Sequence, residues 1–543
     1  MQTGRKPVRE PAPVVIVTGG DALVQSVCRD LHEAGRRVVV VGDAHSPLRE
    51  RVEHDGATFV AGAPWRKHVL REAGIESALA LLALDGDDRV NLEVALQARE
   101  LNPSVRIVLR QFNRGLASKI EQNLPNCSVM SLAANSAATY AAAAIEQSSF
   151  LGVEFPSGSR SLVSFAQRTA RDVSVAGMSV GEAERQLGCR ILWRSREHRL
   201  EEPLESDEEL VLLGSLRSFA GSVPLRSRGG GLGRIAARAG AIAAEFDPLL
   251  RLLLIAGVCL FAAATAYFTF ALHLNPITAA YFVTATMTTV GYGDVPLATK
   301  GLVLQSVDIG LMIGGVVISN LAIAFVAAAL VRAQWNALQG LRPVHDSGHI
   351  VVFGAGQVGT RVIDYLCELD ARVTVVELNP TPELLRRARA REINLLTGDG
   401  TVDDTLEMCN VADARSAVVV THNDATNLEI GFGARARRSD IPVIMRIAEP
   451  SFAAAIRNHF EIRRAFSAAA LAASALSDLV DSATARGRLT FGGRSFRIAE
   501  YPAGESAGRS GTPIAAARGS DVRPVRHWND VGPDESVLVI SGG

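Results

Sequence analysis

The apolar positions of this chain follow two rhythms. Short runs of four or five recur toward both ends, as in 14-VVIV-17, 349-HIVVF-353, 372-RVTVVE-377, 417-AVVVT-421 and 442-PVIMRI-447, with segments of helical period between them. That alternation predicts parallel sheets wound with helices, an α/β Rossmann-like architecture. The middle of the chain is different. Residues 249 to 272 (LLRLLLIAGVCLFAAATAYFTFAL) hold one charge, Arg251, and as a helix would extend about 36 Å, enough to cross a bilayer core. Residues 302 to 331 form a second run, about 45 Å long as a helix. Between the two, 277-ITAAYFVTATMTT-289 is apolar but too short to cross. It predicts a re-entrant helix over 277–288 that leads into 289-TVGYGD-294.

Charge gives this middle segment an orientation. Arg226, Arg228, Arg234 and Arg238 precede the first span and Arg332 and Arg342 follow the second, whereas the loop between them offers only His273 and Lys300. Both termini are therefore expected on the cytoplasmic side. The formal net charge of the 543 residues is −1, so no global field argues for nucleic acid as a partner. Six cysteines lie far apart without a CxxC pair, which reads as reduced, mostly buried thiols. The tail 1–13 is basic but has no apolar core after it, unlike a secretory signal.

The flanks repeat each other at an offset of 336: Asn91-Leu92-Glu93 falls on Asn427-Leu428-Glu429, Asp88 on Asp424, Arg110 on Arg446 and Ser131 on Ser467. In the second copy, strand 349–353 runs into 354-GAGQVG-359, and a second strand ends in Glu377, 23 residues beyond Gly354. Gly354 suits a tight turn, Gly356 a close approach of the backbone to a pyrophosphate, and Gly359 close packing of helix on strand, with Gln357 and Val358 between them. Glu377 would hold ribose hydroxyls. Asp399, in 397-TGDGT-401, is placed either to reach the base or ribose or to cap the next helix. In the first copy the positions aligned with 354–359 are Thr18 to Leu23, so two of three glycines are missing and Asp21 brings a negative charge. Asp43 could serve as a ribose acid there. The cluster 85-DGDD-88 reads as a solvated loop more readily than as a cation site.

Taken together, these residues resemble potassium channels with RCK domains, the regulators of potassium conductance related to Trk-type uptake subunits. Residues 249 to 331 look like the two-helix pore of that family, and TVGYG matches its filter string. The resemblance implies that Thr289, Val290, Gly291, Tyr292 and Gly293 line a filter with carbonyl oxygens around potassium ions, and that Asp294 gathers cations at the outer mouth. It implies small α+β subdomains after each Rossmann part, and alanine-rich stretches 133–145 and 468–475 as crossover helices through which RCK domains pair. The ligand it implies for the second copy is NAD(H) or ATP/ADP. Four chains would surround one pore, bringing eight RCK domains beneath a lipid membrane as a gating ring. Gly314 and Gly315 are candidates for a bend in the second span, or for close packing there.

The expected segmentation is a tail 1–13, an RCK domain 14–150 with its subdomain 151–221, a basic Gly/Arg linker 222–247, a pore domain 248–335, a linker 336–346, and a second RCK domain 347–487 with its subdomain 488–543. The expected function is a potassium-selective, ligand-gated channel of the plasma membrane, spanning it more than once. The alternatives are a nucleotide-sensing regulatory subunit of a transport system, which does not need a filter, and a membrane-anchored NAD-dependent oxidoreductase. The last is disfavoured because no acid, base or nucleophile cluster accompanies the glycines and His422 stands alone.

Overall fold

Val15, Ile16 and Val17 are fully buried in the first strand, which is why it reads as a continuous apolar run rather than an alternating one. In the computed structural model the chain is described over residues 13–111, 114–155, 161–196, 202–219, 248–297, 301–339, 343–460, 462–502, 511–519 and 521–542. The tail up to residue 12, the basic linker 222–247 with its four arginines, Lys300 and Arg342 lie outside the described residues. The first strand belongs to a parallel six-stranded sheet formed by Val14–Thr18, Arg37–Gly42, Thr58–Ala61, Ala80–Ala83, Arg106–Arg110 and Cys127–Met130. Counted along the chain, their spatial order is 3-2-1-4-5-6. The strands Ile350–Phe353, Val373–Glu377, Asn394–Thr397, Ser416–Val419, Val443–Ile447 and Arg464–Ser467 form a second sheet of the same order. In this doubly wound order the loop after the first strand sits at the topological switch point, where ligands bind.

Each sheet is followed by an antiparallel one. Ser149–Glu154, Leu162–Thr169, Arg190–Arg194 and Glu209–Ser215 make four strands, and Ala485–Phe491, Arg494–Tyr501, Thr512–Arg518, Asp521–Pro524 and Ser536–Ser541 make five. The two pack face to face, with Val153, Phe155 and Phe165 against Ile498, Ile514 and Leu538.

The two copies complete each other. Helix Leu132–Ile145 leaves the first sheet and buries Tyr140, Ala141 and Ala144 among Val362, Tyr365 and Leu366 of the second copy. Helix Ala468–Asp478 does the converse, placing Ala472, Ala473 and Leu476 among Leu23, Val27 and Leu31 of the first. Alanine suits this role because its small side chain lets helix backbones approach closely while it retains the highest helix propensity. Polar contacts fix the register: Ser416 Oγ donates to the Ala144 carbonyl (3.0 Å) and Tyr365 Oη to Glu154 Oε2 (3.0 Å).

The middle segment, described by itself, is three helices. Pro248–Ala271 and Leu302–Gln339 enclose the shorter Pro276–Met287, whose start is set by Pro276 and by Asn275, whose side chain accepts from Ile277 N–H at 3.0 Å. Phe268 meets Phe282 edge-on at 5.1 Å, beside buried Val283 and Leu311. Both long helices contain apolar stretches long enough to span a membrane, and Leu252, Ile255 and Phe270 are exposed on the first. The last helix runs eight residues beyond the expected end at 331, into the segment read as a linker, because Arg, Ala, Gln and Leu continue it without a breaker until Gly340.

Candidate functional site

The loop Gly354–Gly359 joins the first strand of the second sheet to helix Gln357–Glu368, and its three glycines have three different reasons. Gly354 has φ +91°, and a Cβ there would lie 3.1 Å from the Thr421 nitrogen. Gly359 would place a Cβ 1.9 Å from the Gly354 carbonyl oxygen, so helix and loop can touch only without a side chain. Gly356 is neither strained nor crowded: φ is −65° and nothing lies within 4 Å of its missing Cβ. Protein packing does not require a glycine at this position, and what it faces is a cavity of about 810 Å³.

That cavity is bounded by Gly356, Glu377, Asp399, Thr421 and Arg446. The Glu377 carboxylate turns back on the loop, accepting from Ala355 N–H (2.6 Å) and Asn379 N–H (3.1 Å). Asp399 Oδ1 accepts from the Thr401 amide (2.9 Å) and hydroxyl (2.8 Å). It therefore closes a turn rather than capping the next helix, whose N-cap is Val402. No side chain caps helix Gln357–Glu368, and its first amides open toward the cavity, the arrangement that suits an anion. Gln357 is exposed and Val358 half-buried at this end.

Arg446 was visible in the sequence only as a repeat marker. Its Nη1 donates to the Thr421 carbonyl at 2.8 Å, and its Nε is buried without a hydrogen-bond partner among the described residues. Buried Asn427 holds the strand ends that carry it, donating to the Arg446 carbonyl at 2.9 Å and accepting from Thr421 N–H at 3.0 Å. Asn91 does the same in the first copy, donating to the Arg110 and Asp85 carbonyls. This explains why the asparagine recurs at the offset of 336.

The first copy corrects the aligned register of its loop by one residue. Leu84 N–H donates to the Thr18 carbonyl where Val420 N–H donates to that of Phe353, so the residue after each strand, Gly19 and Gly354, is the counterpart pair. Both have positive φ, +133° and +91°. Asp21 then stands at the place of Gly356, each the N-cap of the following helix, and Val24, not Leu23, replaces Gly359. Asp21 accepts from Leu23 N–H at 3.1 Å and pairs with Arg110, which is 9% exposed. Asp43 accepts from His45 N–H (2.8 Å) in its own turn. The acidic cluster nearby is likewise engaged: Asp87 caps helix Asp88–Leu101 and Asp88 accepts from Gln111 (2.8 Å). Among the described residues no three His, Cys, Asp or Glu side chains converge as a metal site.

In the middle segment Thr289, Gly291 and Gly293 take φ of +64°, +54° and +72°. Val290 and Gly291 N–H both donate to the Ala285 carbonyl, at 2.9 and 3.1 Å, anchoring the loop on the end of the short helix. Val290, Tyr292 and Asp294 are exposed on the single chain, and Tyr292 stacks on Tyr281 at 5.9 Å. Gly315 meets this helix closely: a Cβ there would lie 2.7 Å from Met287 Cα, whereas Gly314 faces Leu260.

Comparison with known proteins agrees with both parts. The TrkA-N domain model matches residues 15–125 and again 350–468, and an ion channel model matches 253–332. The voltage-gated potassium channel Kch of Escherichia coli is 23% identical over 177 residues, covering 32% of this chain and 42% of that protein. Potassium channel protein 1 of Methanocaldococcus jannaschii is 24% identical over 182 residues, covering 32% and 53%. The chain thus spans about half or less of the length of these relatives. Among solved structures, the GsuK channel superposes over 98% of this chain and 78% of its own with a TM-score of 0.52 at 15% identity, a likeness of fold. A structure of the GsuK channel bound to NAD gives 0.51 over the same shares.

Proposed function

We propose that this chain is a potassium channel with RCK domains on both sides of its pore, and that it conducts potassium selectively under control of a nucleotide bound in its second RCK domain. The observation that carries the reading is Gly356: a glycine with no packing reason, at an uncapped helix start, on a cavity of about 810 Å³ in the same chain as TVGYGD. Gly354, Gly356, Gln357, Val358 and Gly359 form the bed for phosphates, and Glu377 and Asp399 the ribose side. A cavity of about 810 Å³ has room for NAD(H) and for the smaller ATP or ADP. The NAD-bound GsuK structure supports this choice by likeness of fold.

Thr289 to Gly293 would line the filter and Asp294 its mouth, with four chains supplying four filter strands in the plasma membrane. The chain would span the membrane twice, with both termini in the cytoplasm. Eight RCK domains would then form a ring. Supporting this, both copies expose apolar residues at matching positions: Leu96 and Leu116 in the first, Phe432 and Phe452 in the second. A patch repeated on each copy suits a ring built from one kind of contact.

Coupling to the gate has a short route. The turn Gly398–Thr401 borders the cavity and helix Asp403–Met408 follows it. Beyond it, the Met408 carbonyl accepts from Val344 N–H (2.7 Å), and Asn410 donates to the Asp346 carbonyl (3.0 Å). In the sequence, residues 343–348 follow the long helix, whose last described residue is Gln339, and Gly314 and Gly315 are the proposed bend of that helix. Moving a gate from 1:99 to 99:1 takes about 5.5 kcal/mol, so four sites need only about 1.4 kcal/mol each. The test is ion flux into liposomes holding the purified chain, with and without NAD, NADH, ATP and ADP. Potassium flux that exceeds sodium flux and changes with one nucleotide is expected, and equal flux of both ions under every condition refutes the reading.

A further inference from the structure

We infer that Arg446 receives the phosphate of the bound ligand, and that in the first copy Asp21 fills the same place from within the chain, so that only the second copy takes a nucleoside phosphate. The inference rests on the nucleotide reading above and names the charge that decides it. In the first copy one carboxylate does two things at once: it accepts from Leu23 N–H at 3.1 Å, at the start of helix Ala22–Glu33, and it pairs with the Arg110 guanidinium. These are the two kinds of group that a phosphate bridges, amides at a helix start and a forked guanidinium.

In the second copy both groups are present and the carboxylate is not. Gly356 stands where Asp21 does, with the same extended backbone (ψ −162° against 179°), and the helix it precedes has no cap. Arg446 borders the cavity, pairs with no carboxylate among the described residues, and leaves Nε buried without a partner. Arg446 is half-buried; a partly buried guanidinium without a counter-charge is unfavourable, and an anion in the cavity would pair with it together with the open amides. In the first copy that arrangement is already completed: Arg110 borders the same cavity, but its guanidinium is paired with Asp21. Loss of glycines is therefore only half of why the first copy is silent. The other half is a substitute anion.

The experiment is calorimetry on the full chain in detergent, titrating ADP and adenosine into the unmodified protein, Arg446→Gln and Gly356→Asp. ADP is expected to lose about 10–100-fold in affinity in each variant, the worth of one charged hydrogen-bonding group, while adenosine changes by less than about threefold. Gly356→Asp is also expected to raise the unfolding temperature of the ligand-free chain, because it supplies the cap and ion pair that Asp21 supplies. Parallel loss of ADP and adenosine, undiminished ADP binding in either variant, or a lowered unfolding temperature in Gly356→Asp overturns the inference while leaving the nucleotide reading intact. An unmodified chain that binds neither compound overturns both.

Discussion

The Tyr140 hydroxyl donates to the main-chain carbonyl of Phe466, 3.0 Å away and 326 residues later in the chain, and the two rings meet edge-on at 5.9 Å. One lies in the first copy and one in the second. Tyr140 is fully buried, and burial pushes its hydroxyl well above the usual tyrosine range. Tyr140→Phe should cost about 1 kcal/mol and Tyr140→Ala about 3–5 kcal/mol. Hydrogen exchange should show faster opening in strands of both copies. Faster exchange in the first copy alone would argue against coupled stability.

Gly356 and Gly359 are separated by two residues and should respond in opposite ways. Gly356→Ala meets open space and should leave unfolding within about 0.5 kcal/mol of the parent, while weakening nucleotide binding. Gly359→Ala drives a methyl into the Gly354 carbonyl and should cost about 1–3 kcal/mol. Denaturant midpoints compared with calorimetry separate the two.

Gly291→Ala places a side chain at φ +54°, where an L-residue costs roughly 1–2 kcal/mol. Selective potassium flux should disappear while the assembled mass in detergent is unchanged. Retained selectivity would remove Gly291 from the conducting path.

Asp30 faces the seam with helix Ala468–Asp478. Burial pushes its carboxyl up to about 6, with Arg488 opposing and Glu33 and Asp478 adding to the rise. The folded state therefore favours the neutral acid. This contribution is fully present below about pH 4 and is lost as pH rises through about 6. Asp30→Asn should flatten that step and stabilise the chain at pH 8 by about 1–2 kcal/mol. Unfolding temperatures measured from pH 4 to 8 check the sign.

The sheets were legible because valine runs buried on both faces leave no alternative, and the second loop because three glycines and Glu377 stand at fixed spacing. The register of the first loop was not, since an offset shared by Asn91 and Asn427 does not reveal a one-residue slip in the pairing of Thr18 with Leu84. That helix Leu132–Ile145 pairs with another RCK domain was expected from the resemblance and is seen here against the second copy; which face it presents was not legible, because a run of alanines is apolar all round. Arg446 escaped because its meaning lies in what its counterpart Arg110 touches, a contact that exists only in three dimensions.

The exchange of alanine helices sets an order of events during synthesis. The core that begins at Val14 is closed by Ala472, Ala473 and Leu476, which leave the ribosome some tens of seconds later at about 5–20 residues per second. The membrane helices are made in that interval, while Leu23, Val27 and Leu31 still lack their cover. The first domain to be translated is thus among the last to be finished. A chain cut after the pore would keep every residue of that domain and still leave it unclosed.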